Sequence, residues 1–299
     1  MNPNWDDMKV FLAVARLESL SAAGRDLKVD PATVGRRIGR FEEEMGAPLF
    51  AKSPQGYALT DAGQRLLAHA ERAEQAMSGA MEELAGQAGN LSGTIRIGAP
   101  DGCANYLLPH VCSKIAEENP DLEIQIVALP RVFNLSKREA DMAIGVSAPE
   151  AGNRLTVQKI TDYKLHLAAA RSYLMQYPRI EHLKDLHGHR LIGYIPDMIF
   201  DKELDYLSEL GINKVNLASN SVSVQFNAIR SGAGIGVVHD FAIPAARGFR
   251  KVLPEHVSLT RSFYLIRHSD DRRLERMNRF AAALMEGLKE EVVRLEALT

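Results

Sequence analysis

The sequence predicts an α/β protein that begins with a separate, all-α region carrying a small β-hairpin. In the first part of the chain, apolar residues recur every three or four positions, which is the period of an amphipathic helix. The segment "GQAGNLSGT" (residues 86–94) has the composition of a flexible hinge. Beyond it, short apolar runs alternate with helical stretches, as in an α/β domain, and we expect a largely parallel sheet.

Composition is typical of a globular protein of about two domains. Of the 299 residues, 46% are hydrophobic and 25% are charged, which is enough for a substantial core. No apolar run reaches the roughly 18 residues of a membrane span, and the acidic N-terminus does not resemble a signal peptide. We therefore expect a cytoplasmic protein without a membrane partner. The net charge of −2 argues against a nonspecific binder of polyanions.

The two cysteines, Cys103 and Cys112, are too few for a disulfide framework. If both lie on one helix, their spacing places them on opposite faces, beyond the Cα separation of about 7 Å that a disulfide can span. Reduced, structural thiols are the expectation. A redox-sensing pair is the alternative, and it requires the helix to melt.

Three helices are predicted before residue 47. The first is indicated by apolar residues at helical spacing, namely Met8, Phe11, Leu12 and Ala15. Ser21 is expected to cap a short second helix, "SAAGRDL". In the third helix, Asp30 can cap the first turn and Pro31 occupies the first helical position.

The third helix has an apolar face formed by Val34, Ile38, Phe41 and Met45. Arg36 points directly away from that face, with Gly39 beside it and Gly35 at its margin. Each glycine costs about 1 kcal/mol relative to alanine inside a helix, so the close approach of a partner would explain their presence. Small residues beside arginines suit a helix that lies in the DNA major groove. A solvated charged face is the alternative.

The segment "APLFAKSPQGYALT" (residues 47–60) predicts a short hairpin with Lys52 just before its tip. Three helices followed by a basic hairpin form a winged helix-turn-helix, whose wing contacts the DNA phosphate backbone. The residues expected to contact DNA are Ser21, Arg25, Ala32, Thr33, Gly35, Arg36, Arg37, Gly39, Arg40 and Lys52.

A long helix is predicted from Asp61 to about Ala88, with Thr60 as its cap. Its apolar positions alternate in steps of four and three, the signature of a coiled-coil seam. These positions are Leu66, Ala70, Ala73, Met77, Ala80 and Leu84. We expect a homodimer through this helix; a helix docked on its own domain is the alternative.

The α/β region contains strand-like runs at "TIRIGA", "LEIQIVA", "DMAIGV", "HLAAA", "LIGYI", "VNLAS" and "GIGVV". Helices are predicted at Tyr106–Glu118, Ser221–Arg230 and Arg272–Leu295. Ligands of such domains bind at loops that follow strands, where helix N-termini present free N–H groups. The candidate ligand-binding residues are Pro100, Asp101, Gly102, Gly145, Val146, Tyr194, Ile195, Pro196, Asn220, Ser221 and Val222. For Asp101, capping of the helix that follows it is the favoured role.

The order of these elements resembles the LysR-type transcriptional regulators over the whole chain. The resemblance rests on "SLSAAGRDLKVDPATVGRRIGRFEEEMGAPLFAKSPQGYALTDAGQRLL", "GTIRIGAP", "EADMAI" and "AIRSGAGIGVV". It implies a regulator of operator DNA with a two-lobed effector domain like that of periplasmic binding proteins, and a small-molecule effector held between the lobes. It also implies dimers and tetramers, and a contact with RNA polymerase if the protein is an activator.

The implied division of the chain is a winged helix-turn-helix at 1–60, a linker and dimerisation helix at 61–89, a hinge at 90–93 and an effector domain at 94–299. The first lobe would comprise 94–164 and 265–299, and the second lobe 165–264.

Some positions depart from the family pattern. Pro31 stands where a Gln is common, Gly35 where a Ser commonly contacts phosphate, and His239 where a Pro is frequent. Base contacts should therefore depend on Arg36, Arg37 and Thr33.

The sequence contains no G-x-S-x-G, H-E-x-x-H or phosphate-loop motif, so we do not expect an enzyme. The segment "GAGIG" (residues 232–236) lacks the G-x-G-x-x-G spacing and follows a helix instead of a strand. His182, His187 and His189 have no acidic or cysteine partners at ligand spacing, so we expect surface histidines and no metal or cofactor. The alternative to a DNA-binding regulator is a small-molecule binder or enzyme whose N-terminal part serves only assembly.

Overall fold

The structure is a computed structural model, and it describes residues 4–53, 56–84, 91–128, 140–149, 155–212, 214–269, 271 and 274–299. The chain divides into two compact units, Met1–Ala88 and Gly89–Thr299.

The first unit is helical apart from one hairpin. Its helices are α1 (Trp5–Leu17), α2 (Leu20–Leu27), α3 (Pro31–Met45) and α4 (Asp61–Leu84), and its strands are β1 (Phe50–Ser53) and β2 (Gly56–Leu59). The two strands pair antiparallel, with Lys52 opposite Tyr57. The three short helices, the hairpin and the long helix are therefore confirmed.

Polar caps determine where these helices begin. The cap of α2 is Ser19, whose Oγ accepts a hydrogen bond from the N–H of Ala22. The prediction that Ser21 caps this helix is wrong, because Ser21 lies inside the first turn. Asp30 caps α3 as predicted, since its carboxylate accepts from the N–H of Ala32 at 2.8 Å.

The core of the first unit is built around aromatic side chains from three elements. The ring of Phe11 in α1 lies 6.0 Å from that of Phe41 in α3 and 5.4 Å from that of Phe50 in β1. Val34 and Ile38 are buried beside Phe41, so the predicted apolar face of α3 is confirmed. Each buried side chain of this size contributes about 1.5–3 kcal/mol, which makes this face the main attachment of α3.

The first half of α4 belongs to the same core. Ala70 is 1% exposed, and Leu66 packs against the buried residues. The assignment of Ala70 to a dimer seam is corrected, because its side chain is buried within its own unit, whereas Leu66 is only partly buried there. Met77 is 53% exposed, and the side chains of Ala80 and Leu84 lie outside the described residues. The seam stays a prediction for the second half of the helix.

The second unit is an α/β structure. Its strands are β3 (Gly93–Ala99), β4 (Leu122–Ala128), β5 (Met142–Gly145), β6 (Leu155–Ala170), β7 (Leu191–Gly193), β8 (Leu217–Ala218), β9 (Ile235–His239), β10 (Phe249–Lys251) and β11 (Leu259–His268). Its α-helices are α5 (Asp101–Tyr106), α6 (Leu108–Glu118), α7 (Arg171–Leu174), α8 (Tyr206–Glu209), α9 (Val222–Arg230) and α10 (Glu275–Glu296). Short 3₁₀ helices lie at Leu183–Gly188, Pro196–Met198, Lys202–Leu204 and Asp240–Ala245.

These strands form one mixed sheet in the order β4-β3-β5-β11-β6-β9-β7-β8, with β10 paired to β6. In its first half, β3 pairs parallel with β4 and β5; in its second half, β7 pairs parallel with β8 and β9. The two halves are joined by β6 and β11, whose pairings are all antiparallel. The prediction of a largely parallel sheet is wrong, because "HLAAA" is the end of a 16-residue strand that pairs with both halves.

Several predicted boundaries also move. The helix expected at Tyr106–Glu118 is α6, which begins two residues later, at Leu108, after the separate short helix α5. Ser221 caps α9, as the predicted start of that helix requires. The expected hinge at 86–94 overlaps β3, which begins at Gly93, and its residues up to 90 lie outside the described part of the chain.

The cysteines lie on different helices, Cys103 in α5 and Cys112 in α6, so the assumption of a single shared helix is corrected. Both thiols are free and buried. Burial raises the pKa of the Cys103 thiol, and it raises the pKa of Cys112 to about 12. Both are therefore protonated at neutral pH, a state that favours inert structural thiols over redox-reactive ones.

Candidate nucleic-acid interface and ligand cleft

The side of α3 opposite its buried face is open to solvent. Ala32 and Arg36 are exposed. Apart from the two neighbouring residues and the adjacent backbone of α3 itself, no described atom lies within 4 Å of a Cβ built on Gly39. A partner can therefore approach the helix backbone closely at Gly39. Gly35 differs, because a Cβ there would lie 3.3 Å from Leu20 Cδ1. The lack of a side chain at Gly35 serves the packing of α2 against α3.

The three arginines of α3 have different partners. Arg40 is bound by Asp7, a residue of α1 that is 0% exposed; its Nε donates to Asp7 Oδ2 at 2.8 Å, and Nη2 contacts the same oxygen. Arg37 Nε lies 3.4 Å from the other carboxylate oxygen. The bond to Asp7 raises the pKa of Arg40. Among the described residues, the partner of Arg36 is a neutral group in its own helix, since its Nη2 donates to Thr33 Oγ1 at 3.0 Å.

The other predicted DNA contacts lie on α2 and on the hairpin. Ser21 and Arg25 are exposed on α2. Lys52 lies on β1, and its side chain is outside the described residues. The hairpin is attached to the end of α1, because the N–H of Tyr57 donates to the carbonyl of Glu18 at 2.9 Å. Its position relative to α3 is thus fixed through α1.

In the second unit, a small cavity of about 20 Å³ lies at the carboxyl ends of β3, β5, β7 and β9. The predicted residues that line it are Pro100, Asp101, Gly102, Val146, Tyr194, Asn220 and Val222. Gly145, Ile195, Pro196 and Ser221 are not among its lining residues. Pro196 lines a neighbouring cavity of about 170 Å³ within the second half of the sheet, and Tyr194 lines both cavities.

Sequence reasoning missed further lining residues, which are Cys103, Tyr163, Phe200, Leu204, His239 and Phe263. Tyr163 and Phe263 come from β6 and β11, the strands that join the two halves, near a bulge between Phe263 and Tyr264. A bulge leaves no reliable pattern in a single sequence, so these residues read as ordinary strand residues. His239 could have been found from the sequence, because it stands where the family frequently has a Pro.

The sequence suggested that Asp101 caps the helix that follows it, and this prediction is wrong. The cap of α5 is Pro100, and Asp101 is the first residue inside the helix. Its Oδ2 accepts hydrogen bonds from the N–H of Ser223 at 2.8 Å and from the hydroxyl of Ser221 at 2.9 Å. Its Oδ1 accepts from Asn105 Nδ2 at 3.0 Å. The carboxylate thus serves the N-terminus of α9, which belongs to the other half of the sheet.

A second hydrogen bond links the two halves, and here the carboxylate comes from the second half and the donor from the first. The hydroxyl of Ser147, which follows β5, donates to the carboxylate of Asp201 near the second half of the sheet. Asp201 also accepts from the N–H of Glu203 at 3.0 Å. A carboxylate from each side therefore holds the residues around the cavity together.

Aromatic rings form much of the cavity wall. The ring of Tyr163 stacks on that of Phe263 at 4.2 Å and lies 5.5 Å from that of His239. Burial lowers the pKa of His239 to about 4, although Asp240 and Asp101 favour its charged form. The imidazole is therefore neutral at pH 7. The hydroxyl of Tyr163 and Nδ1 of His239 are buried without a hydrogen-bond partner among the described residues. Burial raises the pKa of both Tyr163 and Tyr206, and the interaction between their two hydroxyls contributes to both shifts.

The described residues contain no cluster of three or more His, Cys, Asp or Glu side chains that could hold a metal ion. His182 and His187 are exposed, as expected. His189 is 7% exposed, so its assignment to the surface is corrected; its ring packs 5.9 Å from that of Tyr173. Within the described chain, no helix combines the length and apolar character needed to span a membrane.

These features define a class of protein: a helix-turn-helix unit joined to a two-lobed α/β unit with a cavity at the carboxyl ends of its strands. Two family models match the chain in the same order, the bacterial regulatory helix-turn-helix protein, lysR family, at residues 5–64, and the LysR substrate binding domain at residues 88–289. The chain therefore belongs to the LysR-type transcriptional regulators. Its predicted fold class is confirmed, and it is a DNA-binding regulator and not an enzyme.

Individual relatives agree with this family. The probable HTH-type transcriptional regulator SinR of Salmonella typhimurium is 27% identical over 244 residues, which cover 79% of this chain and 77% of SinR. A full-length OxyR variant from Pseudomonas aeruginosa has a TM-score of 0.71 and 17% identity, covering 96% of this chain and 95% of that one. Full-length LysG from Corynebacterium glutamicum, solved with bound effector Arg, has a TM-score of 0.61 and 19% identity over 96% and 98% of the two chains.

Proposed function

We propose that this regulator reads its operator with α3, through Arg36 and Thr33, and places Lys52 of the hairpin on the phosphate backbone. The observation that carries the proposal is the open side of α3, where exposed Arg36 lies beside Gly39. A two-pronged guanidinium can bind a guanine edge, and a glycine lets the helix backbone come close to the bases. Arg37 and Arg40, which contact Asp7, would mainly fix the position of the helix.

The effector is proposed to bind in the cavity at the carboxyl ends of β3, β5, β7 and β9. Support comes from the seven predicted residues that line it and from the hydrogen bonds of Asp101 and Ser147 that link the two halves of the sheet. A molecule bound between the halves would change their separation. That change would alter how two DNA-binding units are presented to the operator.

The proposed assembly is a homodimer through the second half of α4, where Met77 is exposed. By family resemblance, two dimers would form a tetramer through the effector domains. The protein would act in the cytoplasm, and it would contact RNA polymerase if it activates transcription. Support comes from the position of Met77, which belongs to the predicted seam and is exposed, so that its side chain is accessible to a second copy of the helix.

Binding to the DNA upstream of the regulator's own gene tests the first part of the proposal. We expect fluorescence anisotropy to show tighter binding to this fragment than to a scrambled one, and affinity should fall steeply as salt rises because phosphate contacts release counterions. Equal binding to both fragments would contradict sequence-specific reading.

Thermal unfolding with candidate metabolites tests the effector site. A ligand of the folded state stabilises it by about 2.7 kcal/mol at a hundredfold excess over its dissociation constant. Tyr194→Ala should remove most of this stabilisation and leave DNA affinity without ligand unchanged. Met198→Ala is the matched control, because Met198 is exposed and lines neither cavity. Full stabilisation of Tyr194→Ala would place the effector elsewhere.

A further inference from the structure

The second half of the sheet contains the larger of the two cavities described above. Its volume is about 170 Å³, whereas the small cavity at the carboxyl ends of the strands has about 20 Å³. Protein interiors contain few voids larger than a water molecule, so a space of this size is unusual. A cavity of about 150 Å³ has room for a molecule as large as benzene. The larger cavity can therefore hold a small organic molecule.

Hydrophobic side chains form most of the wall of the larger cavity. Ile192, Leu204 and Leu207 are buried, whereas Pro196 and Ser208 are exposed and mark the opening to solvent. The other hydrophobic lining residues are Tyr194, Ile199, Tyr206, Ile212, Val215 and Val237. The apolar part of a ligand would be removed from water by these side chains, which is favourable.

The polar part of the wall carries negative charge. Asp205 lines the larger cavity together with two neutral polar residues, Ser208 and Gln225, and no lysine, arginine or histidine is among the described lining residues. Asp205 occupies the N-cap position of α8, yet its side chain makes no capping hydrogen bond. An aspartate at that position normally bonds the first N–H groups of its helix. The carboxylate is thus not used by the helix that it precedes.

A cation beside this wall is already paired. The guanidinium of Arg261 lies 5.8 Å from the centre of the Tyr206 ring, and it forms ion pairs with Glu203 and Glu209. It therefore does not offset the negative charge of the lining. The ring of Tyr194, 6.0 Å from that of Tyr206, adds an aromatic surface, and ring faces attract cations. A positively charged ligand is thus favoured over a negatively charged one.

We propose that the larger cavity is a binding site for a small organic amine, whose apolar body lies among the hydrophobic side chains and whose ammonium group lies at Asp205. This site goes beyond the proposed effector cavity and does not depend on it. Tyr194 lines both cavities, and the hydroxyl of Tyr206 interacts with that of Tyr163 in the wall of the small one. An amine in the larger cavity would therefore contact side chains that also belong to, or touch, the wall of the small cavity.

Benzylamine, benzyl alcohol and benzoate test the proposal, because they share a phenyl ring and differ in the charge of the polar group. Binding of each probe to the full chain is measured by ligand-observed NMR titration at neutral pH, where benzylamine is protonated. We expect the parent to bind benzylamine at least about tenfold more tightly than benzyl alcohol, and benzoate more weakly than either, because a partly buried carboxylate attracts a cation and repels an anion. In Asp205→Asn, which keeps a good N-cap residue, the affinity for benzylamine should fall to about that for benzyl alcohol.

Two further variants make the result decisive. Asp197→Asn removes an exposed carboxylate that lines neither cavity and should behave as the parent does. Ser208→Trp adds a large ring at the exposed opening and should weaken benzylamine and benzyl alcohol alike. The proposal is overturned if the parent does not bind benzylamine or binds benzyl alcohol as tightly. It is also overturned if Asp205→Asn or Ser208→Trp keeps the affinity of the parent for benzylamine. These measurements involve neither DNA nor the small cavity, so a failure here is distinct from a failure of the proposed function.

Discussion

Arg40 of α3 is held by the buried carboxylate of Asp7 in α1, with Nε donating to Oδ2 at 2.8 Å. Arg37 lies beside the same carboxylate, and Arg36 does not. This contact links the helix proposed to read DNA to the helix that supports it. It also divides three neighbouring arginines into two that hold the position of α3 and one that is available to a partner.

Asp7→Asn should weaken the first unit, because it removes the charge from a buried carboxylate that two arginines contact. We expect the free energy of unfolding to fall by about 1.5 kcal/mol, the low end of the range for hydrogen bonds to charged groups, since both arginines are partly exposed and regain water. Urea unfolding followed by the fluorescence of Trp5, the single tryptophan, measures this change. Glu74→Gln is the control: it breaks an ion pair with Arg16 in which both side chains are about 40% exposed, and it should cost at most about 1 kcal/mol. Equal losses in the two variants would contradict a special role for Asp7.

Arg36→Ala should reduce specific binding without unfolding the domain, because Arg36 points away from the core. Loss of a two-pronged contact to a base should cost about 1–3 kcal/mol and relax the preference at one base position per half-site. Lys52→Ala should instead weaken binding to all sequences alike and reduce the salt dependence by about one counterion. Anisotropy on operator and scrambled DNA at two salt concentrations separates these effects. A loss that is identical on both DNAs for Arg36→Ala would remove it from base recognition.

Gly39→Leu and Gly35→Leu form a matched pair on one helix. At Gly39 nothing described outside the adjacent part of α3 lies within 4 Å of a Cβ, so leucine should fit and raise the stability of the helix by up to about 1 kcal/mol. At Gly35 a side chain would press on Leu20, and the same change should destabilise the unit. If close approach to DNA explains Gly39, its leucine variant should be more stable yet bind the operator less tightly. Undiminished binding by that variant would show that the glycine is merely tolerated.

The burial of α3 could be predicted from sequence because a periodic pattern lies within one segment of 15 residues. The contact between Asp7 and Arg40 could not, because the two residues are separated by 33 positions and either could have been solvated. Likewise, helical periodicity of α4 identified Leu66 and Ala70 as buried positions but did not reveal the surface that buries them. Their partner is the core of their own unit.

In the second unit, the loops after strands were predicted correctly as the place where a cavity forms, because the carboxyl ends of parallel strands meet helix N-termini. The long strand β6 was not predicted, since only its last residues form an apolar run while the rest alternates irregularly. For this reason Tyr163 and the bulge beside Phe263 were missed. The role of Asp101 was missed because its partners, Ser221 and Ser223, lie more than 100 positions away.

Met77→Glu should weaken self-association. Met77 is 53% exposed on α4, so a charge there does not disturb the core of its own unit, but it would be buried beside its counterpart in a dimer seam. Sedimentation of the full chain should show dissociation at lower concentration, together with weaker operator binding. Gln64→Glu adds the same charge at an exposed position of the same helix and serves as the control. Leu66 is unsuitable for this purpose, because its replacement would disturb the core. Unchanged assembly of Met77→Glu would place the dimer contact elsewhere.

His239 should make the second unit less stable in acid. Burial lowers its pKa to about 4 in the folded state, whereas an unfolded histidine has a pKa of about 6.5. Between these two values the unfolded chain binds more protons than the folded one, so stability falls as the pH drops from about 6.5 towards 4. The full loss corresponds to about 3 kcal/mol. His239→Gln, which cannot take up a proton in this range, should lose correspondingly less stability between pH 7 and pH 4, as measured by urea unfolding at each pH. The control is His187→Gln, at an exposed position, whose profile should follow that of the parent. An NMR titration in which the His239 imidazole charges near pH 6.5 in the folded protein would refute the explanation directly.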